Sequence, residues 1–186
     1  MTALLRNIPN ILTALRLAAS PAIVALLWHG HDYAALIVFA IAGITDALDG
    51  YLAKTFHLQT RFGRFLDPAA DKLLMLTSFI ALTMLGVTPV WLTALVITRD
   101  VCIVIGIGLA YLWALPVRAT PSFLGKCSTA VQVIYVGVML LLLTFDIHAR
   151  IVINLGEIAV AAFTLASGLG YAQVWLRAAT HSRRTA

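Results

Sequence analysis

Six apolar stretches, each near the roughly 20 residues a helix needs to cross a bilayer, take up most of this chain. They run roughly over 10–28, 33–54, 66–86, 89–113, 124–145 and 151–177. Polar turns separate them: HGHD at 29–32, GVTP at 86–89, RATPS at 118–122 and DIHAR at 146–150. Of the 186 residues 61% are hydrophobic and 11% charged. A soluble domain holds about 45–50% apolar and about 25% charged residues. The expectation is an all-α integral membrane protein, one domain over 1–186, with six transmembrane helices. The opening LLRNIPNIL is expected to lie along the interface as a short amphipathic helix before Pro9. MTALLRNIPN lacks the order of a cleavable signal, so none is expected.

Orientation follows from the cations. Arg6, then Lys54, Arg61 and Arg64, then Arg118 and Lys126, then Arg177, Arg183 and Arg184 fall on one side of the six spans. The other side holds only Arg150. The positive-inside rule places the first side, with both termini, in the cytoplasm. The formal net charge of +5 therefore speaks to topology and to anionic lipid, not to nucleic acid. Cys102 and Cys127 have no CxxC spacing and read as packing residues.

Against this apolar background stand four aspartates: Asp46, Asp49, Asp67 and Asp71. Asp46 and Asp49 are three apart and Asp67 and Asp71 four apart, so each pair shares a helix face. The basic loop between them lets two antiparallel helices bring all four together. A carboxylate at bilayer depth is costly, and four would repel unless a cation joined them. Oxygen-only ligands select hard ions, Mg²⁺ or Mn²⁺, one or a two-ion clamp. Gly50, Ala53 and Gly63 keep the carboxylate face small enough for a bulky ligand. Lys54, Arg61 and Arg64 add cations at the rim. The set suits a metal-bound diphosphate with room for a nucleotide.

The string Asp46-x₂-Asp49-Gly50-x₂-Ala53-Lys54-x₈-Gly63-x₃-Asp67-x₃-Asp71 resembles the signature of the CDP-alcohol phosphatidyltransferases. That signature carries Arg where this chain has Lys54, which keeps the charge but loses the planar fork. The resemblance implies two divalent ions held by the four aspartates. It implies a CDP site built from Asp46, Asp49, Gly50, Ala53, Lys54, Gly63 and Asp67, facing the cytoplasm. It makes Asp71 the general base on an acceptor hydroxyl, with CMP as leaving group. It also implies a homodimer in a bacterial inner membrane or an organellar equivalent.

Other polar residues interrupt the spans. Asn10, Thr13 and Arg16 recur at three-residue spacing on one face of the first. Arg99 and Asp100 break the fourth, and Lys126 opens the fifth within GKCSTAVQ. Such residues either pair internally or face a cavity. In the second case Asn10, Thr13, Arg16, Arg61, Arg99, Arg118 and Lys126 are candidates for contact with an acceptor phosphate. NIPNILTALR and GKxxTAVQ resemble the glycerol-phospholipid branch, both phosphatidylglycerophosphate synthases and CMP-forming cardiolipin synthases. The former are expected to carry Glu after the fourth-span arginine and a second Arg two turns on. Asp100 and Ile107 stand there instead, which tilts the acceptor towards phosphatidylglycerol over glycerol 3-phosphate. Inositol phosphate or serine are other acceptors. An intramembrane prenyltransferase would want a duplicated Asp cluster, and a divalent-cation transporter a polar path to both faces. Neither pattern is present in the sequence.

Overall fold

The computed structural model describes the backbone over 2–56, 63–112 and 123–182, and side chains over 12–46, 69–106, 108–109 and 123–173. These residues form six helices and no strand: α1 Thr2–Trp28, α2 Asp32–Phe56, α3 Gly63–Met84, α4 Val90–Leu112, α5 Phe123–Thr144 and α6 Arg150–Ser182. Each helix covers one apolar stretch. α1 runs without a break from Thr2, so Pro9 lies inside one continuous helix and not between two. Pro21 sits further along the same helix. Each proline removes one backbone donor. A full break inside an apolar phase would leave several groups unpaired, so the helix persists through both.

Three of the turns are built alike. At the end of α1 the Gly30 N–H donates to the Leu27 carbonyl at 3.1 Å and His31 N–H to Leu26 at 2.8 Å. After α3, Gly86 and Val87 repeat the pattern on Thr83 and Leu82 at 3.0 and 2.9 Å. After α5, Asp146 and Ile147 do so on Leu143 and Leu142 at 3.3 and 2.9 Å. This is the Schellman cap, whose first turn residue must enter the left-handed region. Gly30 (φ 73°) and Gly86 (φ 74°) do so without a Cβ penalty, and Asp146 (φ 51°) is the non-glycine exception.

The chain divides into two compact units. The first comprises Met1–Thr88 and Val136–His148. Within it α1 packs on both α2 and α3. Its core joins Ile23 and Leu27 of α1, Ala35, Phe39 and Ala42 of α2, Ala70, Leu74, Phe79 and Leu82 of α3, and Met139 and Leu140 of α5. The buried alanines let helix backbones approach closely. The second unit comprises Pro89–Tyr135 and Ala149–Ala186, and in it α4 packs on α6. There Gly156 of α6 lies against the Tyr135 ring of α5, and a Cβ at this position would meet ring carbon Cδ2 at 2.9 Å. Glycine is required by that approach.

Among the described residues two helices are long and apolar enough to cross a bilayer by length and composition: Phe123–Thr144, mean hydropathy 2.0, and Arg150–Gln173, mean hydropathy 1.7. On α6, Ile151, Leu155, Ile158, Ala162, Leu165 and Leu169 are all exposed and recur at three- to four-residue intervals. That spacing paints one continuous apolar stripe along the helix. In water it would be an aggregation surface; against lipid it is satisfied.

Candidate active site

One face of α1 is polar and turned inward. Thr13, Arg16 and Ser20 are all buried, at one-turn intervals, and Ser20 Oγ donates to the Arg16 carbonyl at 3.1 Å. The Arg16 side chain is 1% exposed. An isolated charge cannot be kept there, so its partners decide what the site is. Its Nη1 lies 2.6 Å from Asp46 Oδ1 on α2 and also donates to Asp71 Oδ1 on α3. Both carboxylate oxygens therefore crowd around one nitrogen, and α1 is the element that draws α2 and α3 together. The carboxylates themselves are 47% and 42% exposed. The guanidinium is sealed below while the acids open outward.

Asp49, Gly50, Ala53 and Lys54 follow Asp46 on the helical backbone of α2, and Gly63 and Asp67 precede Asp71 on α3. The one-turn spacing expected for both acidic pairs holds in the backbone. The side chains of these residues, and that of Asn10 on α1, fall outside those described, as do Arg61 and Arg118 altogether. Among the described residues no three metal-ligating side chains cluster. The two aspartates that are described do converge, and an all-oxygen donor set suits Mg²⁺ or Mn²⁺.

The second unit holds a separate polar cluster. Arg99 of α4 bonds Asp100 Oδ1 through Nη1 at 2.6 Å and Ser167 Oγ of α6 through Nη2 at 2.5 Å. Neighbours along a helix do not normally face each other, so the long arginine must fold back over its own turn to reach Asp100. One turn before Ser167, Thr164 Oγ1 accepts from Gln132 Nε2 of α5 at 3.3 Å, and Gln132 also reaches Ser128 at 3.3 Å. Lys126, at the start of α5, is exposed.

Sequence reasoning placed Arg16 among acceptor contacts; the structure puts it against two of the four aspartates. It weighed internal pairing for Arg99, and that pairing is present. It passed over Ser167 and Thr164. Their signal was faint but real: two hydroxyls one turn apart in the apolar middle of α6.

Comparison with known proteins agrees with the family resemblance. A probable phosphatidylglycerophosphate synthase of Mycobacterium tuberculosis is 37% identical over 187 residues, covering 97% of this chain and 87% of the relative. The CDP-diacylglycerol–glycerol-3-phosphate 3-phosphatidyltransferase of Bacillus subtilis is 33% identical over 181 residues, covering 89% of this chain and 93% of the relative. A CMP-forming cardiolipin synthase of Homo sapiens is 33% identical over 181 residues, covering 89% of this chain and 60% of the relative. Residues 6–178 match the CDP-alcohol phosphatidyltransferase family, and the chain is a transferase belonging to it.

Proposed function

We propose that this enzyme transfers the phosphatidyl group of CDP-diacylglycerol to a hydroxyl of a glycerol-based acceptor and releases CMP. The observation that carries the reading is the meeting of Asp46 and Asp71, from two helices, on one buried cation. These are the first and last acids of the family pattern. Asp46, Asp49, Asp67 and Asp71 would hold two Mg²⁺ or Mn²⁺ ions. When bound, such ions neutralise a diphosphate and stabilise charge that builds up on its oxygens.

The chain's own residues do the rest. Asp71 takes the proton of the acceptor hydroxyl. The acceptor oxygen forms a bond to the phosphorus bearing diacylglycerol as the bond from that phosphorus to the CMP oxygen breaks. Gly50, Ala53 and Gly63 leave room for the nucleotide, and Lys54 adds charge beside its phosphates. Arg99, Lys126, Arg61 and Arg118, with Asn10 and Thr13, are the candidate acceptor contacts. The M. tuberculosis and B. subtilis relatives are named for phosphatidylglycerophosphate or glycerol-3-phosphate chemistry, the human one for cardiolipin. Asp100 and Ile107 favour phosphatidylglycerol as the acceptor here.

The six helices are read as six spans with both termini and the aspartates on the cytoplasmic side, supported by the placement of the cations. The segment before Pro9 is read as interfacial, and the assembly as a homodimer, which mass measurement in detergent would check. The deciding experiment supplies purified enzyme with radiolabelled CDP-diacylglycerol and, separately, phosphatidylglycerol, glycerol 3-phosphate, inositol phosphate and serine. Cardiolipin or phosphatidylglycerophosphate is the expected product. CMP release with neither, or no release with any acceptor, overturns the reading. Ion uptake into vesicles would instead support a transporter.

A further inference from the structure

An arginine meant for a substrate phosphate should present its nitrogens to the cavity. Arg16 does the opposite: it is sealed from solvent, and one of its nitrogens contacts two carboxylates on different helices. We propose that Arg16 is the resident counter-cation of the aspartate cluster. It is a positioning residue that holds Asp46 and Asp71 side by side in the metal-free chain and competes with the incoming divalent ion for their Oδ1 atoms. This rests on reading the four aspartates as a Mg²⁺ or Mn²⁺ site.

The charges make the case. Arg16, Asp46 and Asp71 together carry one excess negative charge; without Arg16 they carry two. Like charges a few ångströms apart in low dielectric repel strongly. Buried Ala42 of α2 and Ala70 and Leu74 of α3, one turn or less from the acids, supply no charge, and Lys72, beside Asp71, is exposed, so Arg16 is the buried cation among the described residues. The helices must therefore pack before any ion arrives with a cation of their own. A guanidinium suits this, because it cannot lose its proton in a protein. It must also be fixed in place. Burial of Thr13 and Ser20 either side of it, with the Ser20 bond to its carbonyl, locks that face of α1 inward. A single positive charge leaves the excess negative charge that a divalent ion needs. The cluster is stable when empty yet still draws the metal, at the cost of weaker binding.

The test needs no substrate. Thermal unfolding of the full chain in detergent is measured in chelator and across a Mg²⁺ titration, for wild type, Arg16→Lys and Arg16→Met. In chelator Arg16→Met should unfold at least about 5 °C below wild type. Saturating Mg²⁺ should return most of that loss, so its metal-induced shift exceeds the wild-type shift. Its Mg²⁺ midpoint should fall at least threefold, on the order of a lost competitor. Arg16→Lys keeps the charge with a shorter reach, so its shift should lie between the two; should Arg16→Met not fold, this variant decides. Equal metal-induced shifts in wild type and Arg16→Lys, or a midpoint that rises in Arg16→Met, would overturn the proposal while leaving the metal site standing. Absence of any Mg²⁺ or Mn²⁺ effect on wild type would remove the metal reading and the proposal together.

Discussion

Arg16 in the first unit and Arg99 in the second both carry guanidiniums held largely out of water, 1% and 9% exposed, in an apolar chain, but their company differs. Arg16 meets two carboxylates from two other helices. Arg99 meets one carboxylate, from the next residue of its own helix, and a neutral serine hydroxyl. The first cluster carries surplus negative charge and two half-exposed acids. The second is charge-balanced. In both, the arginine Nε is buried with no hydrogen-bond partner among the described residues. A surplus of anion asks for a cation; where charge is already balanced, an unused donor asks for an acceptor oxygen. The same residue type can therefore support a metal in one place and a phosphate in another.

The largest effects should fall on the first cluster. Excess chelator should reduce CMP release to background, restored by Mg²⁺ or Mn²⁺; undiminished turnover would contradict the metal site. Next, Asp71→Asn should lower turnover by about 10²–10⁴-fold, the range for loss of a general base. The variant should still fold, because Asp46 continues to balance Arg16, giving the first cluster the one-to-one pairing already seen at Arg99. Full activity in a folded Asp71→Asn protein would remove the base assignment.

The second cluster should respond differently. Arg99→Gln should raise the acceptor KM by about 10–100-fold, as loss of a charged hydrogen bond would, and leave the KM for CDP-diacylglycerol nearly unchanged. A loss of both in parallel would mean that Arg99 only braces α4 against α6. Ser167→Ala removes one bond to Arg99 and nothing from its charge. A rise of about three- to tenfold in acceptor KM, with kcat held, is expected from one hydrogen bond of ~1 kcal/mol. If the acceptor KM does not move, Ser167 is packing alone.

Much of this was legible in the chain. The six helices follow the hydropathy, and their turns follow Gly30 and Gly86. The aspartate spacing survives because a helix preserves it. The partner of Arg16 was not legible, since hydropathy and i, i+3 spacing describe one helix at a time. Which helix faces which depends on small residues such as Ala35, Ala42 and Ala70, whose burial only tertiary packing reveals. Ser167 was hidden for the same reason: a hydroxyl in an apolar helix normally bonds its own backbone, as Thr77 does to Leu73 at 2.9 Å. Nothing local marks the one that reaches across. Pro9 does not interrupt α1, because a local helix-breaking rule yields where unpaired backbone would cost more.

The smallest effect is expected at the one position where the chain departs from the family signature. Lys54→Arg restores the signature residue one turn or so beyond Asp49 on α2. If the first cluster is organised by charge, as the sharing of one Arg16 nitrogen between two acids indicates, a point charge at this rim serves as well as a fork. Turnover and the KM for CDP-diacylglycerol should then stay within about twofold of wild type, because a bidentate geometry adds to binding only where its partner is fixed. A tenfold gain would show the opposite: that the rim works by shape, as the second cluster does with its aligned bonds to Asp100 and Ser167, and that lysine here is a handicap the rest of the site has absorbed.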